Sequence, residues 1–181
     1  KESHVDCNAF LGGISKNYTT NLLLSQKSDY VVIEADEYDR SFHQLTPYMA
    51  VITAADPDHL DIYGTPEAFR ESFEHFTSLV REGGYLIVKK GADLTPRVHP
   101  TVKCYTYAVD QDADFKATNM RISNGEIIFD FHTPTEEIHN IRLGVPVPVN
   151  VENGTAAMAL AWLAGATAEE LKAGMASFKG I

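Results

Sequence analysis

Two short apolar runs, each closing on a cluster of acids, constrain the fold more than any other feature of this chain. Asp29-Tyr30-Val31-Val32-Ile33-Glu34-Ala35 is followed by Asp36, Glu37 and Asp39, and Met49-Ala50-Val51-Ile52-Thr53 by Asp56-Pro57-Asp58-His59. A buried parallel strand reads as a continuous apolar run, and polar groups gather at its carboxyl end. Open α/β sheets place ligands just outside those ends. The two acidic clusters are therefore expected side by side at one crevice.

The next segment supports a parallel sheet. Thr65-Pro66-Glu67 carries a cap candidate, Pro in the first turn and an early acid, the marks of a helix start. Phe69, Phe73, Phe76, Leu79 and Val80 recur at helical spacing, and Gly83-Gly84 closes the pattern. Tyr85-Leu86-Ile87-Val88 is the following strand, ending on Lys89-Lys90-Gly91. Strand, helix, strand is the unit of a parallel sheet. From about residue 100 the texture changes. Stretches 102–107, 115–122, 126–131 and 138–143 read as short strands, and Asn124-Gly125 is a strong hairpin signal. Val151 to Gly165 reads as a buried Ala-rich helix. Thr167-Ala168-Glu169-Glu170 resembles a capping box opening a last helix. The expected class is α/β: a mostly parallel sheet flanked by helices, with a smaller antiparallel sheet over roughly 100–145 and no domain break within 1–181.

Charge narrows the functions. The 181 residues carry 15 Lys and Arg against 25 Asp and Glu, a net −10. That opposes a general phosphate-backbone or anionic-membrane binder, since both attract cationic faces. No apolar run approaches the ~20 residues of a membrane span. Cys7 and Cys104 fit neither a zinc spacing nor a disulfide framework, which suits a reducing, cytoplasmic setting.

Four carboxylates stand within the six residues 34–39. They repel one another unless a cation or a basic group compensates. A hard cation such as Mg²⁺ takes oxygen ligands of this kind beside substrate phosphates; an ordinary acidic loop is the plain alternative. His59 is a ligand or base candidate when neutral, or one half of a surface ion pair. Gly12-Gly13 suits a close backbone approach to a ligand or a simple turn. Asn150 and Asn153 flank the start of the Ala-rich helix. Their amides match an adenine edge, although Asn150 equally suits a helix cap. No Gly-x-x-x-x-Gly-Lys-Ser/Thr phosphate loop and no Gly-x-Ser-x-Gly elbow is present.

These residues resemble the central domain of the Mur ligases. The match runs through Glu-Ala-Asp-Glu-Tyr-Asp-Arg-Ser-Phe (34–42), Leu-Thr-Pro (45–47), Ala-Val-Ile-Thr (50–53) and Asp-Pro-Asp-His-Leu-Asp-Ile-Tyr-Gly (56–64). It extends to Asn8–Gly13 upstream and Asn150–Ala157 downstream. The resemblance implies an ATP- and Mg²⁺-dependent, amide-forming ligase of peptidoglycan precursor synthesis in the cytoplasm. Its substrates would be UDP-N-acetylmuramate, L-alanine and ATP, and it would act through an acyl-phosphate. Position by position, the resemblance makes Glu34 and His59 the catalytic, metal-ligating pair. Asn150 and Asn153 would be the adenine contacts, and Gly12 and Gly13 a loop facing the sugar-nucleotide. Asp36, Glu37 and Asp58 would orient those ligands.

The resemblance also makes 1–181 a piece of a longer protein. The phosphate loop is expected just before residue 1, the C-terminal domain just after Ile181, and an N-terminal UDP-binding domain further upstream. Such a piece is expected to be inactive alone and prone to self-association through exposed apolar surface. The chain departs from the family pattern at Val149, Ala54 and Glu74, where His, Asn and a carbamylated Lys occur in other members. Two other readings stay open: a murein-peptide recycling ligase acting on a tripeptide, and a non-catalytic nucleotide-binding or interaction domain on the same scaffold.

Overall fold

The computed structural model describes residues 1–181. The fold is α/β, with a mixed six-strand sheet and a small three-strand sheet. The chain divides into two compact units, residues 1–34 with 108–181, and residues 35–107.

In the unit 35–107, β4 (Met49–Ile52) pairs parallel with β5 (Tyr85–Lys89), and β5 pairs parallel with β6 (Lys103–Val109), which runs on past residue 107. Between β4 and β5 lie α1 (Leu60–Tyr63) and α2 (Pro66–Ser78). Thr65 caps α2, its side chain accepting from the Ala68 amide at 3.1 Å, and Pro66 takes the first turn. That position needs no amide donor, so proline stabilises the start. The helix stops at Ser78, before the glycine pair. Its apolar face joins a core of Phe42, Ala50, Ile52, Phe76, Val80 and Leu86. The Phe42 ring stacks on Phe76 at 5.0 Å and meets Phe73 edge-on at 5.3 Å. Glu74 is buried on α2, where it accepts from the Thr95 amide at 3.0 Å and from Arg97 Nη2 at 2.5 Å. At that position it serves as a packing and pairing residue.

In the other unit, β1 (Asn8–Ser15) pairs antiparallel with β2 (Thr20–Leu23) and parallel with β3 (Val31–Ile33). The sequence reading missed β2, and β1, whose apolar pattern is interrupted by Gly12-Gly13. It also expected a buried strand over 29–35. Instead β3 spans only Val31–Ile33, and all three side chains are exposed. With Phe10, Ile14 and Leu22 also exposed, this small sheet presents apolar surface to solvent.

The antiparallel strands over 115–142 lie where expected but belong to the six-strand sheet rather than to a separate smaller one, and the strand expected over 102–107 pairs parallel with β5. β7 (Phe115–Ser123), β8 (Glu126–His132) and β9 (Glu137–Arg142) pair in sequence order. Asn124 and Gly125 both have positive φ, 51° and 76°. Two left-handed residues are what the type I′ hairpin requires. Phe129, Phe131 and Ile138 face a core capped by α3 (Val149–Leu163), which packs on β7, while α4 (Ala168–Ser177) packs on β9. Thr167 and Glu170 close a full capping box at the start of α4. No helix is long and apolar enough to cross a membrane.

Two predictions follow from this packing. Phe42→Ala is expected to cost about 3–5 kcal/mol, the usual penalty for emptying a buried phenyl site, read by urea denaturation. Glu170 accepts from the backbone amides of Thr167 and His4 and pairs with the His4 ring, and its carboxyl falls to about 2. A lowered carboxyl stabilises the fold above its unfolded value, and that contribution fades as pH falls through the folded one. The stability gap between the protein and Glu170→Gln should therefore be full at neutral pH and shrink between about 4.5 and 2, measured by denaturation at stepped pH.

Candidate functional site

Each carboxylate of the acidic segment after β3 has its own neighbours. Glu34 lies against β1 in its own unit: a Cβ on Gly12 would overlap the Glu34 carboxylate. Glycine at position 12 is what allows this approach. A Cβ on Gly13 would meet the Ile181 side chain. Both glycines lie inside β1 rather than in the loop or turn expected from sequence.

Asp36 Oδ1 accepts from the Tyr38 amide at 2.9 Å, and its carbonyl accepts from the Phe42 amide at 3.0 Å. Asp39 Oδ1 accepts from the Ser41 amide at 2.9 Å. Hydrogen bonds from the Ser41 hydroxyl and amide hold the Asp39 carboxyl below its ordinary value. Arg40 takes a left-handed conformation at φ 61° and lays its guanidinium over the Tyr63 ring, 4.7 Å from the centroid. The Tyr63 hydroxyl donates to the Glu37 carbonyl. The loop is thus closed on itself and fastened to the core by Phe42.

The second cluster meets this loop within the unit 35–107. His59 has φ 51°. A non-glycine residue in that region is uncommon and costs strain that its surroundings must hold. Those surroundings are visible. Asp58 Oδ1 accepts from the His59 amide at 2.7 Å. Glu37 Oε1 lies 3.7 Å from His59 Nε2, and Asp58 Oδ2 lies 3.9 Å from it. The Tyr38 ring stands edge-on to the imidazole at 5.0 Å. The imidazole is partly exposed, with 31% of the side chain open to solvent, so it is oriented yet reachable. Glu37 and Asp58, expected to orient a ligand, do touch His59. Tyr38 and Tyr63 carry as much of the positioning but drew no functional reading from sequence. Their only signal was their place inside the two motifs.

Asn150 is not a helix cap. Pro148 precedes the first turn of α3, and Asn150 is its second residue. Its amide nitrogen donates back to the Val145 carbonyl at 3.2 Å, leaving its carbonyl oxygen for another partner. Asn150 and Asn153 both line a cavity of about 390 Å³ in their unit, with Leu143, Met158, Leu171 and Met175 among the apolar walls. A mainly apolar pocket with two amides suits a flat heteroaromatic group.

Comparison with known proteins places this geometry in a family. The model of the Mur ligase middle domain matches residues 6–161. The chain is 66% identical over 180 residues to the UDP-N-acetylmuramate–L-alanine ligase of Parabacteroides distasonis, covering 99% of this chain and 39% of that protein. The enzymes of the same name from Phocaeicola vulgatus and Porphyromonas gingivalis are 64% and 60% identical, again over 99% of this chain and 39–40% of theirs. The chain thus spans about two-fifths of the length of the relatives it matches. Among solved structures, the UDP-N-acetylmuramate–alanine ligase of Thermotoga maritima superposes with a TM-score of 0.79 at 23% identity, over 98% of this chain and 39% of that one. A ligase joining UDP-N-acetylmuramate to L-alanyl-γ-D-glutamyl-meso-diaminopimelate, from Neisseria meningitides, gives 0.80 at 19%, over 98% and 59%. At these identities the structures establish the fold. The family match and the close relatives go further: this chain belongs to the Mur ligase family, as its middle domain.

Proposed function

We propose that this chain is the ATP-handling middle part of a cytoplasmic UDP-N-acetylmuramate–L-alanine ligase, which forms an amide between L-alanine and the lactyl carboxylate of the sugar-nucleotide while ATP is split to ADP and phosphate. The observation that carries the reading is identity of 60–66% along essentially the whole chain to proteins of that name.

The chemistry has a charge problem. An anionic carboxylate must approach an anionic γ-phosphate before it can attack. Neutralising charge in a preorganised site lowers that barrier. From the family resemblance Glu34 and His59, which lie in different units, would each be a Mg²⁺ ligand. Glu34 is exposed and would supply a carboxylate oxygen of the kind a hard cation prefers, while His59 would supply an imidazole nitrogen with the Glu37 and Asp58 carboxylates beside it. Bound there, the ion would supply positive charge beside the phosphates. The chain's own part is positional. Asp58 and Glu37 set the His59 ring, and Tyr38 limits its swing. The apolar cavity would take the adenine, read by the amides of Asn150 and Asn153. Gly12 and Gly13 keep β1 free of side chains beside Glu34, the side expected to face the sugar-nucleotide.

No phosphate-cradling glycine loop occurs in these residues. The isolated chain is therefore expected to show no alanine-dependent ATP hydrolysis. The full-length protein should release phosphate from ATP only when both UDP-N-acetylmuramate and L-alanine are present, and L-alanyl-γ-D-glutamyl-meso-diaminopimelate should not replace alanine. His59→Ala in that protein should lower kcat by roughly 10²-fold or more, the cost of losing one electrostatic element of such a site. Asn153→Ala should act mainly on KM for ATP. Turnover with the tripeptide in place of alanine, or a His59→Ala enzyme of full activity, would overturn the reading.

A further inference from the structure

β8 and β9 carry matched patterns, Asp130-Phe131-His132 and Glu137-Ile138-His139. Phe131 and Ile138 point into the core, so strand alternation sends the four polar side chains to the opposite face. His132 lies opposite Glu137 in the ladder. His139 Nδ1 stands 3.5 Å from Asp130 Oδ2 and 3.6 Å from Glu137 Oε1, and all three donor atoms fall within 4.8 Å of one another.

The backbone around Asp130 is shaped to aim it. The β7–β8 register slips between Thr118 and Arg121, and the β8–β9 register slips between Phe129 and Phe131. Each irregularity has an asparagine in the left-handed region beside it, Asn119 at φ 54° and Asn140 at φ 57°. Both turn a donor onto the same carboxylate: Asn119 Nδ2 to Oδ2 and the Asn140 amide to Oδ1, each at 2.8 Å. Bulges of this kind re-aim side chains. Arg121 Nη2 approaches Oδ1 at 3.6 Å, on the side away from His139. His132 Nε2 bonds the Thr118 hydroxyl at 2.7 Å and lies 3.4 Å from Glu137 Oε1. The carboxylates are thus oriented by an outer ring of partners, as metal-binding carboxylates are.

We propose that Asp130 Oδ2, Glu137 Oε1 and His139 Nδ1 form a site for a first-row divalent cation of the zinc type, clasping β8 to β9. A tetrahedral ion with bonds of about 2.0–2.1 Å sets its ligand atoms about 3.3 Å apart. Two of the three separations lie within a few tenths of an ångström of that edge. One imidazole and two carboxylates suit Zn²⁺ or Co²⁺ better than Mg²⁺, which prefers an all-oxygen octahedron. Three protein ligands leave the fourth position to water.

The test is an equilibrium Zn²⁺ titration of the protein, with Co²⁺ as the optical probe. The expected result is one Co²⁺ ion with a visible tetrahedral absorption band, and Zn²⁺ affinity reduced at least about 10-fold in His139→Ala and Glu137→Gln. Both side chains are well exposed, at 58% and 46%, so neither change should unfold the sheet; circular dichroism checks this. His59→Ala should keep the band and the affinity, which separates this site from the proposed Mg²⁺ ligands. Equal Zn²⁺ affinity in the protein and His139→Ala, or no uptake at millimolar zinc, would leave an ion-pair network only and overturn the proposal.

Discussion

Like-charge repulsion within residues 34–39 governs the functional half of this molecule. Four carboxylates cannot all face one volume without compensation. The chain resolves this by spending each on a different neighbour: Glu34 against the bare backbone at Gly12, Asp36 on the Tyr38 amide, Glu37 toward His59, and Asp39 on the Ser41 amide. The turns that result bring Phe42 down into the aromatic core. The acids thus close the loop's turns, and Phe42 fastens it to the core.

That arrangement links packing to chemistry. His59 occupies a strained backbone region, and such strain persists only where several contacts over-determine it. Asp58, Glu37, Tyr38 and the Tyr63 bond to the Glu37 carbonyl supply those contacts. An imidazole fixed this way loses little entropy on engaging a ligand, which is the physical meaning of preorganisation. The antiparallel layer uses the same device on another scale, where two bulges turn donors onto the buried carboxylate of Asp130. Burial alone would raise that carboxyl, yet the hydrogen bonds from Asn119, Asn140 and His139 hold it below its ordinary value.

Signals that are local in the chain were legible. Thr65-Pro66, Asn124-Gly125 and Thr167 with Glu170 each specify a backbone geometry through their own atoms, and each is found where expected. Signals that depend on a distant partner were not. Gly12-Gly13 reads as a turn until Glu34 and Ile181 are seen resting on it. Val31–Ile33 reads as buried until its sheet proves to have only three strands. Asn150 suits a cap until Pro148 is seen opening the helix two residues earlier.

From sequence alone came most of the strands and helices beyond residue 29, the two acidic motifs and their resemblance to the Mur ligases, because residue type and spacing encode periodicity, turn chemistry and ligand preference. Only tertiary structure decided which way each carboxylate turns, that Tyr38 and Tyr63 steady the histidine's loop, and that Asp130, Glu137 and His139 share one face. Those outcomes depend on through-space contacts between residues whose separation along the chain carries no information about direction.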